Sequence, residues 1–128
     1  MKLNSKLAGL LLGSIALSVG ASDDGLMISM KIERNGETVS TPRIWSQYGK
    51  DSAVQVGNSF RIEMKANDLG TSADLNMKLY ANEAGTLQLV SAPRIHASFS
   101  AESAVQVTSK DGAVYKVTIT PVRAAQPI

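Results

Sequence analysis

The feature that most constrains how this chain can fold is a stretch of sequence that occurs twice. Residues 41–56 read TPRIWSQYGKDSAVQV and residues 92–107 read APRIHASFSAESAVQV. A constant offset of 51 aligns Pro42, Arg43 and Ile44 with Pro93, Arg94 and Ile95. The same offset aligns Ser52 to Val56 with the identical Ser103 to Val107, and Tyr48 with Phe99. Two shared blocks in one register argue for duplication, and such a period must be accommodated by any fold assigned to the chain. The likeness extends outward with small shifts. Ile28 to Ile32 resemble Leu75 to Leu79, and Phe60 to Met64 resemble Tyr115 to Ile119. The shifts fall among turn-forming residues, where loops accept insertions. The unit therefore runs over about 26–68 and again over about 73–123, joined by a polar link at Asp68 to Ser72.

Within each unit the hydrophobic period is two. Ile28, Met30 and Ile32 alternate with Ser29, Lys31 and Glu33; Phe60, Ile62 and Met64 alternate with Arg61, Glu63 and Lys65. Leu75, Met77 and Leu79, then Tyr115, Val117 and Ile119, repeat the pattern. Such alternation belongs to strands with one core face and one wet face. Asn35-Gly36 is a strong hairpin signal, because a type I′ turn wants φ > 0 at both central residues. Asp111-Gly112 does the same near the end of the chain. Pro42 and Pro93 cannot donate to a ladder and belong at a strand start or on an edge. The expected fold is all-β: a small antiparallel sandwich of about eight strands built from two tandem repeats. A small closed barrel is the alternative.

The first residues concern destination. Lys2 and Lys6 precede an apolar run from Leu7 to Val19, and Val19 and Ala21 stand three and one residues before a cut at Ala21–Ser22. Charged, apolar and small-residue segments in that order make a secretory signal peptide over 1–21. The apolar run of 13 residues is too short for a membrane-spanning helix, which needs about 20. One β domain, 22–128, then remains, expected in the periplasm or outside the cell with no membrane span after cleavage. Removing Lys2 and Lys6 leaves 11 basic residues against 11 acidic ones. Without a basic excess the domain lacks the footprint of a nucleic-acid binder. The chain has no cysteine, so disulfides, thiol nucleophiles and thiolate metal sites are excluded.

Pro-Arg-Ile, a turn, then Ser-Ala-Val-Gln-Val-Gly57 resembles the strand–turn–strand motif of outer-membrane secretins, in which a proline-led strand is followed by a short apolar strand ending in glycine. The second unit carries Thr108 at the glycine position. The units are also similar to the periplasmic β-repeats of sensor proteins of the β-lactam-receptor type. Both resemblances imply a bacterial envelope, and neither supplies functional residues.

Candidate chemistry is sparse. His96 is the only histidine and would have to serve any Ser-His-Asp triad. It occupies the position that Trp45 holds in the first unit, which reads as a surface strand site. Asp23-Asp24 read as a solvated tail, Asp51 and Glu102 as turn residues, and no glycine-rich loop opens a helix. No catalytic residue, metal site or cofactor is expected. Strand alternation puts Arg43, Trp45 and Gln47 on the face opposite Ile44 and Tyr48. An outward Trp beside Arg has the composition of interface hot spots, so these three residues are the candidate binding patch for an envelope protein or peptide. The alternative is a small periplasmic enzyme or enzyme inhibitor with a loop-borne site. Intact-mass measurement on periplasmic material should give a chain beginning at Ser22; a mature protein that keeps Leu10 to Leu12 would overturn the localisation and the charge argument together.

Overall fold

The alternating runs become the four central strands of two packed antiparallel sheets. The structure, a computed structural model, describes residues 24–126, so the expected signal segment, its cleavage point and Asp23 lie outside the described residues. The strands are β1 (Gly25–Arg34), β2 (Glu37–Ser40), β3 (Arg43–Gln47), β4 (Asp51–Val56), β5 (Phe60–Asp68), β6 (Ser72–Glu83), β7 (Thr86–Ser91), β8 (Arg94–Ser98), β9 (Ser103–Thr108) and β10 (Val114–Arg123). Sheet I has the order β8-β6-β5-β4, with β7 also on β6; sheet II has the order β9-β10-β1-β2, with β3 also on β1. Both sheets are open, so the sandwich is the fold and the closed barrel is not.

There are ten strands where eight were expected, and the two prolines are the reason. The arm that returns along β1 is broken at Thr41-Pro42 into β2 and β3, and the arm that returns along β6 is broken at Ala92-Pro93 into β7 and β8. A proline offers no ladder N–H, so pairing stops and restarts around it. The break is bridged the same way in both sheets: Met30 N–H donates to Pro42 C=O at 2.9 Å, and Met77 N–H to Pro93 C=O at 2.9 Å. Each long strand also carries a register irregularity, at Ile32/Glu33 and at Leu79/Tyr80. Asn35 (φ +50°) and Gly36 (φ +85°) make the turn that their sequence foretold. Ala84 (φ +56°) and Gly85 (φ +88°) adopt the same left-handed pair at the β6–β7 turn.

Each sheet draws strands from both units. Sheet I joins β6, β7 and β8 to β4 and β5, and sheet II joins β1, β2 and β3 to β9 and β10. The last long strand, β10, pairs with the first, from Tyr115 against Arg34 to Arg123 against Leu26. The core between the sheets is made of Leu26, Ile28, Met30 and Ile32 from β1, Phe60, Ile62 and Met64 from β5, Leu75, Met77 and Leu79 from β6, and Tyr115, Val117 and Ile119 from β10. Burying each such side chain contributes roughly 1.5–3 kcal/mol. Ile44 and Tyr48, with Ile95 and Phe99, face inward as their alternation requires, but they are only half-buried and pack against the rim of this core.

An aromatic contact in the core joins the two units. The Phe60 and Tyr115 rings stack with centroids 4.6 Å apart and planes 14° from parallel. Arg34 Nε donates to Tyr115 Oη at 3.2 Å, so the phenol keeps a polar partner at the core margin. Phe60 is 1% exposed, and Phe60→Ala should lower the unfolding free energy by about 3–5 kcal/mol. Urea unfolding monitored by circular dichroism checks this; a loss close to zero would show that the stack lies outside the cooperative core.

Candidate functional site

The outer face of sheet II gathers the candidate residues. Alternation along β3 turns Ile44 and Ser46 inward and leaves Arg43 and Gln47 exposed, with Trp45 between them half-buried. The cross-strand register seats Trp45 beside Met27 of β1, and Met27 beside Val122 of β10. Trp45, Met27 and Val122 thus form one apolar row across three strands on the side away from the core. Val122 is 43% exposed and Met27 is half-buried. Arg43 and Gln47 stand on either side of this row, and Arg43 has no ion-pair partner among the described residues.

Trp45 is held in place on both sides. Its indole lies over Gly25, where any β-carbon would collide with the ring. A glycine in a strand often marks such a close approach. Trp45 Nε1 donates to Ala124 C=O at 2.9 Å, which ties the segment after β10 to β3. The ring is therefore a fixed apolar surface whose N–H is already engaged. What it presents to solvent is an edge beside Met27 and Val122, not a free indole donor.

The same row in sheet I has opposite chemistry. His96 pairs with Asp74, and Asp74 with Asn67. Arg94 donates to Asp74 through Nε and Nη2, each at 2.9 Å, and His96 Nε2 lies 3.6 Å from Asp74 Oδ1. The two-point Arg94 contact holds the Asp74 carboxyl below the usual carboxylate range against the opposing effect of desolvation, with His96 adding to the lowering. The Asp74 side chain is 7% exposed while His96 is 62% exposed. No hydroxyl is hydrogen-bonded to His96 among the described residues, and Asp74 is already occupied by Arg94. This geometry makes a structural ion pair on a sheet face.

A second polar cluster covers the rest of that face. Glu63 accepts from Arg61 Nε at 3.1 Å and from Tyr80 Oη at 3.0 Å, and Arg61 Nη1 donates to Gln55 at 3.1 Å. Arg61 first and Tyr80 second hold the Glu63 carboxyl low, while Glu63 pushes the Tyr80 phenol up. Beside them runs an open groove of about 530 Å³ lined by Asp51, Glu63, Lys65, Asn76 and Lys78, with Met64, Met77, Ala92 and Pro93. Its charges alternate in sign and it has no aromatic floor, which is the chemistry of a solvated face. Asp51 opens β4 of sheet I and Glu102 immediately precedes β9 of sheet II, so the two belong to different sheets. Among the described residues no group of three His, Asp or Glu side chains is arranged to hold a metal ion.

Met27 and Val122 are the members of the apolar row that the sequence reading did not name. Their signal was present: each is the apolar residue on the wet side of an otherwise alternating strand. Their adjacency to Trp45 depends on β3-β1-β10 pairing, which spans nearly the whole domain. No family model matches this chain, and no curated protein and no solved structure matches it either.

The Asp74 pair gives a pH expectation with a definite sign. Folding lowers the Asp74 pKa, so its contribution is fully present above the ordinary carboxylate value of about 4 and is lost as pH falls through the depressed folded value. The urea midpoint of the wild type should therefore fall more steeply below about pH 4 than that of Asp74→Asn. Parallel acid dependence in the two proteins would show that Arg94 gives the carboxylate no preference for its charged form in the fold.

Proposed function

We propose that this protein is an exported binding module of the cell envelope, which recognises a protein or peptide partner through the outer face of sheet II. The observation that carries this reading is the apolar row Trp45–Met27–Val122 on a solvent-facing sheet surface, flanked by Arg43 and Gln47. Large apolar side chains aligned outward are unneeded for the core of this sandwich, and exposed apolar clusters with polar rims mark interaction sites. The matching row in sheet I, His96–Asp74–Asn67, shows that the same backbone positions accept polar side chains. The sequence up to Ala21 supports export, and the likeness to secretin and sensor-type β-repeats supports an envelope setting. Aromatic and Arg side chains carry most of the energy in such interfaces.

The test uses the mature domain as bait for envelope proteins, with quantitative binding to whatever partner is retained at fixed stoichiometry. Val122→Lys and Arg43→Glu change exposed positions and should leave the melting temperature near that of the wild type. Each should weaken the partner by about tenfold or more, and Trp45→Ala by about thirtyfold, as expected for a buried aromatic anchor. Asn67→Lys, on the equivalent row of sheet I, should leave binding unchanged. Binding that survives Val122→Lys and fails in Asn67→Lys would move the site to the other sheet. Turnover of a substrate, lost on changing a loop residue, would replace the binding module with an enzyme.

A further inference from the structure

The two edges of each sheet are built differently. One edge, β2–β3 in sheet II and β7–β8 in sheet I, is broken by a proline and faces a long strand with a register irregularity. Bulges and prolines are devices that stop an edge from accepting another strand. The opposite edges, β4 in sheet I and β9 in sheet II, have none of them. Each is six residues long, pairs in unbroken register with its single neighbour, and has no Lys, Arg or Pro. Among the described residues no backbone hydrogen bond from Ser52 to Gln55, or from Ser103 to Gln106, reaches beyond that neighbour.

These open edges are also where the two units have kept the same sequence. Ser52 to Val56 and Ser103 to Val107 are identical, whereas β3 and β8, β5 and β10, and β1 and β6 have all changed. Core packing explains part of this, since Ser52, Val54 and Val56 are half-buried. Gln55 is also held by Arg61 and Gly57, but neither packing nor these bonds explain Ala53, Ala104 and Gln106, which are exposed and still identical. A shared exposed surface on two edges suits a shared partner strand. An edge of this sequence is itself such a strand. In an antiparallel register with Val54 opposite Val105, Ala53 faces Gln106, Ser52 faces Val107, and no like charges meet within the block.

We infer that the open edges pair with each other between copies of this chain, β4 of one copy adding to β9 of the next. Sheet I of one molecule then continues into sheet II of its neighbour. The contact joins two different edges, so it is heterologous. It leaves a free β4 at one end and a free β9 at the other, and assembly proceeds as a chain that stays open unless its rotation closes a ring. The apolar row around Trp45 lies on the outer face of sheet II and starts on β3, at the edge opposite β9, so this pairing leaves it accessible and repeats it along the assembly.

Sedimentation equilibrium of the mature chain from micromolar to millimolar concentration tests the inference. The wild type should grow in mass with concentration. Val54→Lys and Val105→Lys should each be monomeric alone, because an inward-pointing charge on an edge strand blocks strand addition. Mixed in equal amounts they should form dimers and stop there, since each lends the other its intact edge. The chain has no cysteine, so a second measurement is clean. Ala53→Cys mixed with Gln106→Cys should form a disulfide between the two proteins in preference to either homodimer, and this arm decides the matter if the lysine variants fail to fold. A wild type that stays monomeric throughout overturns the inference. So does self-association that persists in the Val54→Lys, Val105→Lys double variant, or a Val54→Lys protein that still dimerises by itself.

Discussion

The pairing of β10 with β1 is the interaction on which the rest of this structure depends. It joins residues nearly a hundred positions apart along the chain, and it sets strands of the second unit into the sheet begun by the first. Without it, β1 would keep only its broken return arm, and Leu26, Ile28, Met30 and Ile32 would have no complete sheet behind them. The same dependence holds in sheet I, where β5 of the first unit pairs with β6 of the second. Neither unit can bury its apolar faces alone. The two units share one core because their sheets are shared, and the stacked Phe60 and Tyr115 join them again. Non-local pairing of this kind must overcome loop-closure entropy before it stabilises anything, which makes such folds slow to form.

That arrangement leaves the outer faces free to diverge. Once the inward residues are committed to the core, the outward residues at equivalent places answer only to solvent and to partners. Sheet I has taken polar chemistry there: Arg94 holds Asp74, and Arg61 and Tyr80 hold Glu63. Sheet II has taken apolar chemistry at the matching row, with Trp45 laid over Gly25 and locked to Ala124. In the proposed binding role the rigidity would matter, because a Trp already fixed by its neighbours loses little conformational entropy when a partner covers it. The edges follow a different rule, in that protection has been given to one edge of each sheet and withheld from the other.

Much of this architecture was legible in the sequence because its causes are local. Period-two alternation follows from strand geometry, and it identified all four central strands and their inward residues. Asn35-Gly36 located a turn through a left-handed pair that few other residues favour, Asp111-Gly112 located the longer β9–β10 turn, in which Gly112 is left-handed and Asp111 is not, and Pro42 and Pro93 located edges through their missing N–H. The placement of Arg43, Trp45 and Gln47 together on an outward face came from the same alternation. What only the tertiary structure decided was which strands lie side by side. Exchange of strands between the units, the row that adds Met27 and Val122 to Trp45, the burial of Trp45 over Gly25 and the ion pair of Asp74 with Arg94 all rest on contacts between distant segments. Alternation records which face a residue takes and carries no information about its neighbour across the ladder, because many pairings bury the same alternating set and the choice among them is made by the packing of the whole core.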